Sequence, residues 1–130
     1  MIKLTICAKR LPHLTREEFD QYWRDHHGSL VRSFADVLRI KRYVQVPTLP
    51  NPTLQETIRA TRNALAASFD GYAELWWESL EELAAVRATE GGASALRALL
   101  EDEQKFVDLA QSQLWYGTER EIVPGSQETR

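Results

Sequence analysis

Two adjacent imidazoles, His26 and His27, lie near the end of the stretch PHLTREEFDQYWRDHHGSL, residues 12–30, which is otherwise dense in aromatic side chains. An imidazole has an unperturbed pKa near 6.5, so it is the side chain best suited to moving a proton at neutral pH, and partial burial favours its neutral, base-competent form. Counting by four from Phe19 places Trp23 and then His27 on one helical stripe, with Leu30 close to it. The face that must be buried therefore carries an imidazole. Tyr22 and His26 form a flanking stripe, and His26 is expected to be solvated. His27 has two readings: a core histidine satisfied by backbone or a neighbouring side chain, or a general base. A second ionisable group, Glu74, sits inside the aromatic run YAELWW. It either pairs with Lys3, Lys41 or an arginine, or serves as a catalytic acid/base with a raised pKa. Tyr43, Tyr72, Trp76, Trp77 and Phe106 are candidates for core, or for the aromatic walls of a small-molecule pocket.

Other chemistries fit less well. Three histidines, two of them adjacent, do not supply the i, i+4 pair of a helical metal site. The single cysteine, Cys7, can make neither an intrachain disulfide nor a cysteine-based zinc site. There is no Gly-rich phosphate loop, and no serine lies in a nucleophile elbow. No metal and no cofactor are expected. Sixteen basic against nineteen acidic side chains give a formal charge of −3, with no basic block, so nucleic acid is not an expected partner. No run approaches the roughly 20 apolar residues that span a bilayer, and MIKLTICAKR is too short and too alternating for a signal peptide. A membrane is not an expected partner either, and the cytoplasm is the default location.

The elements that must position these residues can be read from periodicity. At 130 residues, with 43% hydrophobic and 27% charged side chains, the chain is expected to form one soluble domain. Residues 2–9 alternate as a strand, with Ile2, Leu4, Ile6 and Ala8 on one face. A helix follows, capped by Thr15 with Glu18 in a reciprocal box and stapled by Leu14 and Phe19; Gly28 offers it an end, although LVRSFADVL could resume helical structure. LRIKRYVQVP, residues 38–47, reads as a second strand. Thr53 and Glu56 have capping-box spacing before a short helix at 53–66, within an inserted segment near 47–68. Residues 72–77 read as a third strand after Asp70-Gly71. Ser79 and Glu82 open a second main helix, Gly91-Gly92 breaks it, and helical spacing resumes through Leu96, Leu99, Leu100, Phe106 and Leu109. Residues 113–123 have strand composition, and 124–130 form a frayed tail. Without the insertion the order is βαββαβ, a ferredoxin-like α+β arrangement. Its helix-free face would carry Thr5, Cys7, Tyr43, Tyr72 and Trp76, too much apolar surface for a monomer, so a homodimer through the sheet is expected.

The run from Lys9 to Leu30, R-x-P-x-L-T-x-E-E-F-x-x-Y-W-x-x-x-H-x-x-L, together with R-Y-V-Q in the second strand and D-G-Y-A-E-L-W-W-E-S-L-E-E-L further on, resembles the EthD family of the dimeric α+β barrel superfamily. The resemblance spans residue 2 to about 122. It implies a domain at 1–123 whose two sheets close into a dimeric barrel, with a pocket between sheet and helices in each protomer. Relatives look like accessory proteins of ether degradation, dehydratases or decarboxylases of aromatic polyketides, lactone isomerases and cofactor-independent monooxygenases. Carried onto this chain, the family's histidine falls on His27 and its strand acid on Glu74, with Trp23, Tyr43, Tyr72, Trp76 and Phe106 around a substrate. The resemblance argues against haem. The implied function is cofactor-free acid/base chemistry on a small aromatic or polyketide-like substrate; the alternative is a non-catalytic binding or accessory protein of a degradation pathway.

Overall fold

Period-two alternation sets the sheet. The computed structural model, which describes residues 1–126, has four antiparallel strands, β1 (Ile2–Ala8), β2 (Arg42–Pro47), β3 (Gly71–Trp77) and β4 (Gln113–Thr118), in the spatial order β2-β3-β1-β4. This is the ferredoxin-like α+β fold. The register pairs Leu4 with Leu75 and with Tyr116, and residues directly opposite share a face. Leu75, Trp77 and Ile2 pack into one core with Val31, Leu38 and Val86 from the helical layer.

Tyr43 pairs with Leu75 and so also points toward the helices, which corrects its expected place on the open face; Arg42, Val44 and Val46 stand there instead. Both side-chain sets of β2 mix apolar and polar members, so alternation sorts them without saying which set is buried. The open face otherwise carries the expected Thr5, Cys7, Tyr72 and Trp76. Trp76 is nevertheless well covered: the Arg42 guanidinium lies 4.8 Å and the Lys3 ammonium 5.2 Å from its ring centre, and its indole N–H donates to Glu119. Tyr72 and Trp115 stay exposed.

Thr15 caps the first helix, accepting the Glu18 N–H at 3.1 Å, while Glu18 Oε1 accepts the Thr15 N–H at 2.9 Å. Gly28 does not end it. The helix runs through α1 (Arg16–Gln21), a π-helical segment (Tyr22–His27) and α2 (Gly28–Phe34), with Gly28 in right-handed helical geometry and its N–H bonded to the carbonyl of Trp23. That carbonyl also accepts the side-chain amide of Gln45 at 2.9 Å. A Cβ on Gly28 would lie 3.3 Å from this amide nitrogen, so glycine serves close packing here.

In the β2–β3 connection, α3 (Pro52–Thr61) is capped by Asn51, whose side chain accepts the Leu54 N–H, with Pro52 as first helical residue. Thr53 therefore does not cap, and Glu56 binds Arg59 instead. None of the α3 residues is buried. Ser79 caps α4 (Leu80–Ala88) and Thr89 caps α5 (Glu90–Glu103), so the break falls at Thr89 and the glycines lie inside the first turn of α5. Phe106 is not helical; it follows α5 in a turn and is almost wholly buried. β4 stops at Thr118 rather than 123, because its partner β1 begins at Ile2, the residue opposite Thr118. Of the expected tail, residues 124–126 are exposed and 127–130 lie outside the described residues.

Candidate active site

His27 closes the π-helical segment with its side chain buried, and its Nδ1 lies 2.8 Å from Oδ2 of Asp102, in the last turn of α5. The other carboxylate oxygen accepts the Tyr22 hydroxyl at 2.5 Å, with His26 Nδ1 at 3.3 Å and Lys105 Nζ at 3.9 Å. Asp102 is itself buried. Burial raises the pKa of such a carboxyl, but the hydrogen bonds from Tyr22 and His27 outweigh it and hold Asp102 below its ordinary range. An ionised carboxylate only accepts, so Nδ1 of His27 carries the proton and Nε2 keeps its lone pair. Burial pushes the imidazole below its usual pKa, with Asp102 pulling the other way. Burial and the adjacent carboxylate push the Tyr22 phenol up to about 12, so it remains a donor.

His27 also lines a cavity of about 110 Å³ between the sheet and the helices. Among the described residues, the walls are apolar apart from three side chains, His27, Tyr43 and Glu103. Trp23 and Phe106 are among the aromatic walls, and the His27 and Phe106 rings lie 5.1 Å apart. The Tyr43 oxygen accepts the Gln45 amide at 2.8 Å, which leaves its own O–H free to donate. Burial, with Asp102 adding to it, pushes the Glu103 carboxyl up to about 7. A base, a phenol and a carboxyl that titrates near neutrality thus share one apolar space.

The structure therefore brings His27, Trp23, Tyr43 and Phe106 together and separates them from Glu74, Tyr72 and Trp76, which lie across the sheet. Glu74 faces the helix-free side and pairs with Lys3 at 2.6 Å, one of the partners its position allowed. Sequence reasoning missed Asp102, Glu103 and Gln45. A signal existed for the first two: Asp102 falls three residues after Leu99 and Glu103 four after it, so two carboxylates extend the apolar stripes of α5. Among the described residues, no group of three or more His, Cys, Asp or Glu could hold a metal ion. None of their helices is long and apolar enough to cross a membrane.

The EthD domain family matches residues 11–110, and the chain belongs to that family. Solved structures agree on the fold. An EthD family protein from Bacillus halodurans is 19% identical, with a TM-score of 0.62 over 92% of this chain and 99% of that one. A dimeric protein of ferredoxin-like fold and unknown function from Bacteroides fragilis is 8% identical, with a TM-score of 0.55 over 89% and 93%. SnoaB, a cofactor-independent oxygenase from Streptomyces nogalater, is 12% identical, with a TM-score of 0.50 over 95% and 97%. A search of curated proteins returns no match to this chain.

Proposed function

We propose that the protein is a small-molecule enzyme that uses His27 as a general base, without a cofactor, on a single-ring aromatic or comparably small polyketide-like substrate. The observation that carries this reading is the His27–Asp102 pair at the wall of an apolar cavity. Asp102 fixes the imidazole by its Nδ1–H, so Nε2 is the nitrogen available to a bound molecule, and the carboxylate stabilises the imidazolium that forms when Nε2 takes a proton. Such a step is common to dehydration, decarboxylation, isomerisation and cofactor-free oxygenation. Glu103 is placed to return a proton or to donate to a developing oxyanion from the same cavity. Trp23 and Phe106 hold the ring.

The cavity bounds substrate size from above: at about 110 Å³ it is smaller than a site of roughly 150 Å³ that holds one benzene ring, so a single ring is the upper limit and a fused polycycle is too large. Glu74, Tyr72 and Trp76 belong in this proposal to the face that a second protomer covers, closing a dimeric barrel. The exposed Tyr72 and Trp115 and the dimeric ferredoxin-like neighbour support that assembly. The alternative, a binding protein without turnover, keeps the same cavity and differs only at His27. Two measurements separate the readings: ligand binding with no turnover in the native protein favours the binding protein, loss of turnover with binding retained in His27→Ala supports the enzyme, and unchanged turnover per folded molecule in that variant removes His27 as the base.

A further inference from the structure

Among the described residues, the cavity wall contains no lysine and no arginine, and its ionisable groups are the His27 imidazole, the Tyr43 phenol and the Glu103 carboxyl. The surrounding charge makes it less hospitable to an anion. Asp102 lies directly behind His27, and the Lys105 ammonium near Asp102 is on an exposed side chain. A carboxylate entering here would leave water, meet no counter-ion and sit beside Glu103, which is unfavourable unless it takes up a proton. The polar groups that are present offer hydrogen bonds of another kind. The Tyr43 oxygen already accepts from Gln45, so its proton is free to donate, and a protonated Glu103 is a second donor. His27 supplies the one strong acceptor. Two donors and one basic acceptor inside an apolar wall match a molecule with a carbonyl oxygen and an acidic proton close to it.

We infer that this cavity selects an uncharged, single-ring carbonyl compound over its carboxylate counterpart, with Glu103 and Tyr43 donating to the carbonyl oxygen and His27 facing the enolisable proton. The inference rests on the acid–base reading for the role of His27, but not for the charge selectivity. Burial favours the protonated form of Glu103, and because that carboxyl titrates near 7 the donor is present below neutrality and lost above it. In the proton-transfer step, Nε2 takes the proton, the C–H electron pair becomes the enol double bond, and the oxygen takes up the negative charge or the Glu103 proton. Reversal restores the starting ketone with no net oxidation.

Acetophenone and benzoate test this as a pair of similar shape and opposite charge class. Binding of each to the full chain is measured by ligand-observed NMR or calorimetry at about pH 6 and pH 8, and exchange of the acetophenone methyl protons is followed in deuterated buffer. Acetophenone should bind about 100-fold more tightly than benzoate at pH 8, the scale of one uncompensated buried charge. Its affinity should fall several-fold between pH 6 and pH 8 in the native protein and stay flat in Glu103→Gln. In Leu100→Lys, which puts a cation at a half-exposed position of the wall, benzoate should gain about 10-fold. Benzoate binding as tightly as acetophenone, or selectivity unchanged in both variants, overturns the inference. Selectivity without methyl-proton exchange keeps the inference and counts against the acid–base reading; exchange without selectivity does the reverse.

Discussion

Asp102 Oδ2 lies 2.8 Å from Nδ1 of His27 although 75 positions separate the two residues in the chain. The contact ties the end of the π-helical segment to the end of α5. It also leaves Nε2 as the imidazole nitrogen that can act on a ligand, because Nδ1 is already committed to the carboxylate.

His27→Ala should leave the fold intact and lower turnover on the correct substrate by about 100-fold or more, the usual contribution of a positioned acid–base group. His26→Ala serves as control, since His26 is half exposed and stacks on Tyr22 at 4.6 Å. Equal losses in both variants, measured by steady-state kinetics with circular dichroism of each, would remove His27 from the mechanism.

Asp102→Asn should lower the His27 pKa further, because the carboxylate is the group that raises it against the effect of burial. Proton NMR titration of the imidazole C–H resonances reads this directly, and an upward movement contradicts the pairing. The same substitution weakens the bonds from Tyr22 and His27, so a stability loss of about 1–3 kcal/mol in denaturant unfolding is expected.

Glu103→Gln should stabilise the protein at alkaline pH and much less in acid. The folded-state pKa of about 7 lies above the ordinary 4.5, so below 4.5 both states hold the proton and there is no penalty. Between 4.5 and 7 the unfolded chain releases its proton first and the native state loses ground; above 7 the penalty is constant, at most about 2–3 kcal/mol for a group partly in contact with solvent. Urea midpoints of the two proteins at about pH 4 and pH 8 should therefore diverge with rising pH. Parallel midpoints would contradict a raised carboxyl.

Gly92→Ala tests the packing that brings Asp102 into place. A Cβ there would lie 2.0 Å from the carbonyl oxygen of Val86, so backbone must shift, and a loss of more than about 2 kcal/mol is expected by thermal or chemical unfolding. Gly117→Ala, with no atom near its Cβ, should stay within about 0.5 kcal/mol.

The dimer proposed for the open sheet face should persist at micromolar concentration in sedimentation equilibrium, and Trp115→Arg should shift it toward monomer. A native protein that sediments as a monomer at that concentration removes the proposed barrel.

The fold was legible because its signals are local. The reciprocal Thr15–Glu18 box, the alternation of β1 and the order of the elements depend on neighbours in sequence, and so does the stripe that pointed to His27. Half of the site was not legible because it is made by tertiary pairing. Nothing near residue 102 shows that a histidine 75 positions away will meet it. The alternation of YAELWW does group Glu74 with Tyr72 and Trp76, on the face turned away from the cavity, where it pairs with Lys3. Both sets of β2 residues mix chemistry in the same way, so alternation alone puts Tyr43 on the wrong side of the sheet, while its place among the pocket residues is compatible with the geometry.

Phe19 and Val31, both buried, are twelve positions apart, which in an uninterrupted α-helix would turn them about 120° away from each other. The π turn between them absorbs one residue, and at eleven effective positions the offset falls to about 20°. The segment thus behaves as a one-residue insertion that the flanking helices do not register. By the same count, deleting Arg24 or Asp25 and letting the segment revert to α-helix would leave Phe19 and Val31 on one face, so the hydrophobic core does not by itself require the extra residue.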